Sequence, residues 1–422
     1  MHSESLLARR QQSMGSAYRL FYDEPVHIVR GEGVWLYDSE GRKYLDMYNN
    51  VPHVGHCHPR VVEAICEQAG KLNTHTRYLH ENVVTLAERL TAKLPDGLDT
   101  AMFCCTGSEA NELALRIARR CTGGTGIIVT DFSYHGNTQA IHEISTDTIP
   151  AADVPDYVVT VPAPDTYRGK HQGGDAGRRY AEYARAAIET LEQRGIRLAA
   201  LVIDTIVSSS GVVAPPVGYL GAVAEIVRDA GGLFIADEVQ PGFGRTGRNF
   251  WGFEAEGLVP DIVTMGKPMG NGHPLSAVVA RSELVREFAK HGRYFNTFGG
   301  NPVSCAAGLA VLDVIEDERL QQNALDVGTH LSDGLHTLAE THECIGDVRG
   351  SGLFLGVELV SSRSGRTPAT ELTADVVNRL RDLGVLTGSI GPDDNILKLR
   401  SPLVLSKDDA DYFLTVLDEV LP

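Results

Sequence analysis

The chain has 422 residues, of which 43% are hydrophobic and 22% charged, and its formal net charge is -17. That length exceeds one simple core and points to about two to three domains of an ordinary soluble protein. The acidic balance excludes nucleic acid or an anionic membrane as the main partner and leaves an anionic small molecule only where donors cluster locally.

In chain order, no apolar signal core follows Met1-His2-Ser3-Glu4-Ser5, so the protein is expected in the cytoplasm. Residues 33–38 and 43–46 read as short strands. Next to them, His53, His56, Cys57 and His58 resemble ligands, but they lack the second group of a structural zinc site, so no metal is expected. Residues 101–106 form an apolar run, and Ala110, Leu113, Ala114, Ile117 and Ala118 follow at helical spacing. Further apolar runs at 126–130, 199–203, 232–236, 262–265 and 276–280 alternate with helix-like segments. Such alternation implies an α/β fold with a mostly parallel sheet covered on both faces. The uncharged stretch 205–224 is broken by Ser208-Ser209-Ser210-Gly211 and Pro215-Pro216, which argues against a membrane span. A helix near 303–316 is followed by strands at 347–360, 384–387 and 395–400 and a closing helix at 407–420. The expected division is a large domain over 61–320 and a smaller α+β domain built from both termini, 1–60 and 321–422. The seven cysteines contain no CxxC pair and suit a reducing compartment.

Three features fall at the ends of predicted strands, where open α/β sheets place their ligands. Thr106-Gly107-Ser108-Glu109 opens a helix and offers free N–H groups to a phosphate, although the same pattern is also an ordinary helix cap. Asp237 ends the apolar run 232–236, and a buried aspartate needs a partner. An arginine or a helix start is the ordinary partner, and a protonated pyridine nitrogen is another. Lys267 follows the run 262–265 in a loop of glycines and a proline, the short tether that a Schiff-base lysine needs. Gly242-Phe243-Gly244-Arg245-Thr246-Gly247 fits a dinucleotide fingerprint, but no amphipathic helix follows it, which leaves a dehydrogenase without support.

Together, and in this order, the three features resemble the class III aminotransferases of the type I pyridoxal-phosphate fold over almost the whole chain. Phe132-Ser133-Tyr134-His135-Gly136, Asp237-Glu238-Val239-Gln240 and Asn296-Thr297-Phe298-Gly299-Gly300 add to the likeness. The resemblance implies pyridoxal 5'-phosphate as cofactor, with Lys267 as the Schiff-base lysine and Asp237 beneath the ring nitrogen. It further implies Gly107 and Ser108 at the phosphate, Tyr134 and His135 against the ring, and Val239 and Gln240 beside the phenolic oxygen. Thr297 would reach the phosphate of a neighbouring subunit, so a homodimer or higher assembly with shared sites is expected.

Residues 49–59, 73–80 and 266–274 are similar to the phospho-lyase branch of that family, which acts on ethanolamine phosphate or phosphohydroxylysine. The family's arginine for a substrate carboxylate is replaced by Lys398, with Arg400 two residues along on the same strand face. Lysine lacks the bidentate fork that suits a carboxylate. Ethanolamine phosphate has no carboxylate, so the expectation is phosphate elimination from it to give acetaldehyde and ammonia, with His53, Arg77, Tyr78, Lys398 and Arg400 as substrate contacts. The alternative is an ω-aminotransferase that needs a keto-acid acceptor.

Overall fold

The computed structural model describes residues 3–422. Its centre is a seven-stranded sheet ordered Thr100–Cys104, Ser276–Ala280, Ile262–Met265, Leu233–Asp237, Leu198–Asp204, Gly126–Thr130 and Val158–Val161. The last five strands of that order run parallel to one another, and Ser276–Ala280 alone runs against both of its neighbours. Side chains of the inner strands alternate between two apolar layers. Leu201, Ile203, Phe234 and Ala236 belong to one cluster, and Ala200, Val202, Leu233 and Ile235 to the other. Burial on both faces explains why these strands read as unbroken apolar runs.

The Gly107–Thr122 helix fits the predicted spacing: Leu113, Ala114, Ile117 and Ala118 are buried against the sheet. Thr106 caps its start by accepting the Glu109 N–H, and left-handed Gly123 ends it.

Two smaller sheets draw on both ends of the chain. Ile28–Glu32, Trp35–Asp38 and Lys43–Asp46 form a meander, and Val385–Leu386 pairs in parallel with Lys43–Asp46. Ile345–Ser351, Phe354–Ser362, Ile396–Leu399 and Gly388–Ile390 form the other sheet, with Thr367–Pro368 paired to Phe354–Ser362. The region 347–360, expected as one strand, is a hairpin turning at Gly352, whose φ of 57° favours glycine. No described helix is long and apolar enough to cross a membrane.

Candidate active site

Parallel pairing sets the frame of the site. Asp204 and Asp237, the last residues of adjacent strands, lie directly opposite each other. Asp237 Oδ2 accepts from Asn111 Nδ2 at 2.9 Å and lies 2.7 Å from His135 Nδ1, while Oδ1 accepts the Val239 N–H at 3.1 Å. Asn111 is itself fixed, donating to the His135 carbonyl at 2.8 Å and accepting from Thr264 Oγ1 at 2.6 Å. The Asp237 carboxylate is thus oriented from three sides. Burial, followed by the charge of Asp237, pushes the Asp204 carboxyl above its ordinary range.

Lys267 begins a single 3-10 turn, Lys267–Gly270, directly after the Ile262–Met265 strand. Pro268 and left-handed Asn271 (φ 48°) hold that turn short. Burial, and then the charge of Arg400, pull the Lys267 amine down to about 8 against the opposing pull of Asp237 and Asp204. A fraction of the amine is therefore unprotonated near neutral pH.

The third element is the first turn of the Gly107–Thr122 helix, whose leading N–H groups have no acceptor within the helix. A Cβ at Gly107 would stand 3.1 Å from the Val239 methyls. The chain also passes close at Gly136 (φ 141°), where a Cβ would meet Ser108 Oγ at 2.4 Å. Ser108 Oγ accepts the Asn137 N–H at 3.1 Å.

These elements enclose a cavity of about 310 Å³ lined by Gly107, Ser108, Tyr134, His135, Asp237, Val239, Gln240 and Lys267. Sequence reasoning passed over Asp204, which also lines it. Its signal was the one that marked Asp237, an aspartate ending an apolar run.

Lys398 and Arg400 are not among the residues lining the cavity but lie near Lys267, exposed by only 4% and 7%. The Arg400 guanidinium donates to Gln240 Oε1 and, through Nε, to the Tyr48 carbonyl at 2.9 Å, and it covers the Tyr48 ring at 4.5 Å. Burial, then the Arg400 charge, push the Lys398 amine well below its usual range, although Asp204 and Asp147 oppose this. Asp147, also absent from the expected set, is raised to about 6 by burial. Among the described residues neither Lys398 nor Arg400 forms an ion pair with a carboxylate.

Three expected residues lie elsewhere within one subunit. Thr297 is exposed, Arg77 is exposed with its guanidinium 4.0 Å over the Phe295 ring, and Tyr78 is exposed and stacked on His75. His53 requires a correction. Its ring is fully buried, Nε2 lies 2.8 Å from the Phe243 carbonyl, and Nδ1 lies 3.0 Å from Arg245 Nη2. With both nitrogens engaged and no exposed surface, His53 has nothing left to offer a substrate. Its neighbours diverge too: His56 lies 2.8 Å from Asp46 Oδ2 and His58 3.0 Å from Glu318 Oε1.

The cavity's donor set fits a phosphorylated pyridine aldehyde. Asp237 offers a carboxylate for the ring nitrogen, Lys267 an amine for the aldehyde, and the helix start N–H groups for the phosphate. The comparisons agree with that fit. The chain is 46% identical, over 98% of its length and 86% of the relative's, to the Drosophila melanogaster protein "alanine–glyoxylate aminotransferase 2-like". To "ethanolamine-phosphate phospho-lyase homolog 1" of Caenorhabditis elegans it is 42% identical, over 99% of this chain and 93% of that one. A phospholyase from Arthrobacter, solved in complex with phosphoethanolamine, has a TM-score of 0.95 at 45% identity, covering 99% of this chain and 100% of its own. A model of class III aminotransferases matches residues 21–421, so the chain belongs to that family, with a type I fold and pyridoxal phosphate as its cofactor.

Proposed function

We propose that this enzyme eliminates phosphate from O-phosphoethanolamine, yielding acetaldehyde, ammonia and phosphate with uptake of water. The observation that carries this reading is two buried basic groups near Lys267 with no carboxylate partner: the Arg400 guanidinium, and the Lys398 amine, which that charge and burial push well below its usual range. Buried charges of one sign are costly unless an anion joins them, and a phosphate does so with strong, charge-assisted bonds. The likeness to a phospholyase solved with phosphoethanolamine supports the same substrate.

Bound pyridoxal phosphate supplies an electron sink for charge developing on the amine-bearing carbon. Asp237 would accept the hydrogen bond of the ring nitrogen and keep it protonated. The Lys267 amine, once free, takes the proton from that carbon. The electron pair departs with phosphate as the C–O bond breaks, and Lys398 and Arg400 meet the growing charge. The two-carbon enamine then takes up water to give acetaldehyde and ammonia. Arg77 shares an exposed patch with Thr297, and we assign both to the cavity of a partner subunit in a homodimer.

A transaminase reading draws on the aminotransferase name of the Drosophila relative. One assay separates the two. With O-phosphoethanolamine and no keto acid, phosphate and acetaldehyde should appear in equal amounts over many turnovers. Strict dependence on an added acceptor overturns the lyase.

A further inference from the structure

Arg400 is not free to choose its orientation, and the reason lies in a chain of buried polar groups that ends at the large sheet. Asp204 Oδ2 accepts from the Ser208 N–H at 3.1 Å and from Ser208 Oγ at 2.5 Å. Gln240 Nε2 donates to Ser208 Oγ, and Gln240 Oε1 accepts from Arg400 Nη1. Asp204, Ser208, Gln240 and Arg400 are each less than a tenth exposed. The polarity of the chain is unique. Ser208 has one proton, which Asp204 takes, so Ser208 can only accept from Gln240. The Gln240 amide must then turn its nitrogen to Ser208 and its oxygen to Arg400. The reverse orientation would set two N–H donors against each other. Lys398 on the same strand has no such tether: its ammonium stands 5.8 Å from the Phe354 ring centroid and forms no ion pair among the described residues.

We infer that Asp204, Ser208 and Gln240 form a hydrogen-bonded relay that aims the Arg400 guanidinium at the substrate phosphate, with Ser208 and Gln240 as positioning residues for phosphate specificity. This rests on the reading of Arg400 as a phosphate contact. Arg400 supplies fixed geometry, and Lys398 a second, buried donor with no fixed partner. The backbone N–H of Ser208 still holds Asp204 when the hydroxyl is removed, so Ser208→Ala tests the relay with little disturbance of the fold.

The experiment is a double-mutant cycle of Ser208→Ala and Arg400→Met on the holoenzyme. It reads the Kd of inorganic phosphate, the KM and kcat for O-phosphoethanolamine, and the visible absorbance of the cofactor. Ser208→Ala should weaken phosphate binding and raise KM by roughly three- to tenfold, the effect of one net hydrogen bond, with the cofactor spectrum unchanged. In the Arg400→Met background the same change should add less than about twofold, because its effect passes through Arg400. Ser208→Thr, which keeps the hydroxyl, should restore phosphate affinity. Additive effects, or unaltered phosphate affinity in Ser208→Ala, overturn the relay. A silent Arg400→Met overturns it together with the role of Arg400. Acceptor-dependent turnover combined with a coupled phosphate cycle would instead sink the lyase reading and leave the relay standing.

Discussion

At Lys267 burial and the Arg400 charge outweigh two carboxylates over one amine, and the outcome near 8 has a direct kinetic consequence. Below that value the apoenzyme amine is mostly protonated and cannot attack the cofactor aldehyde. The rate of cofactor reloading should therefore rise about tenfold per pH unit on the acid side and level off above pH 8, followed as the return of visible absorbance. Lys267→Ala should abolish turnover with an unchanged far-ultraviolet spectrum. Reduction with borohydride and peptide mapping should place the label on Lys267 in the parent enzyme. Asp237→Ala should lower kcat by roughly a hundredfold or more at full cofactor loading, as loss of a preorganised electrostatic partner does. Near-normal turnover would remove Asp237 from the ring nitrogen. Singly, each of these two residues has an ordinary structural explanation, and they stood out only because the helix-opening turn, the strand-end aspartate and the loop lysine come in one order. His53 was misread because its partners, the Phe243 carbonyl and Arg245, lie 190 and 192 positions away. No local pattern announces such a commitment.

Single elements hold the site through close contacts that tolerate little change. The glycine loop at Gly136 presses on Ser108 at the helix start, so Gly136→Ala should displace the phosphate cradle. Cofactor affinity should fall by at least tenfold in equilibrium dialysis, while secondary structure persists. Glu238 anchors the segment that follows Asp237 by accepting from Thr205 Oγ1 at 2.6 Å, the Gly252 N–H at 2.7 Å and the Phe253 N–H at 3.0 Å. Glu238→Gln sets an amide donor against these donors and should cost about 1–3 kcal/mol, read as a lower Tm. An unchanged Tm would mean that the segment is held otherwise. Element type was well marked in the sequence wherever periodicity was strong, as in the Gly107–Thr122 and Lys407–Val420 helices. It was poorly marked where pieces are short: the Val158–Val161 edge strand has only four residues. The hairpin at 345–362 was hidden because its turn is only two residues, Gly352 and buried Leu353, so no polar loop separates the strands.

For the whole molecule, the proposed assignment of Thr297 and Arg77 to a partner's cavity means that a lone subunit would lack part of its site. Subunits carrying Lys267→Ala and Thr297→Ala, each impaired alone, should regain activity when refolded together. In the mixed dimer one cavity would have both an intact Lys267 and an intact Thr297. Failure of any mixture to exceed the separate variants would place Thr297 outside the site. The family resemblance alone led to that expectation for Thr297, since exposure is a property of the folded chain and no local pattern announces it. One pairing described above bears on how that chain is made. The edge of Lys43–Asp46 is closed by Val385–Leu386, near the opposite end of synthesis. At a translation rate of about 5–20 residues per second, the early meander leaves the ribosome and stands open for roughly 20–70 s. An unpaired strand edge is a template for neighbouring chains on the same message. Crowded polysomes should therefore nucleate insoluble protein at this edge, and a nascent-chain chaperone that shields it should raise soluble yield without touching the finished enzyme.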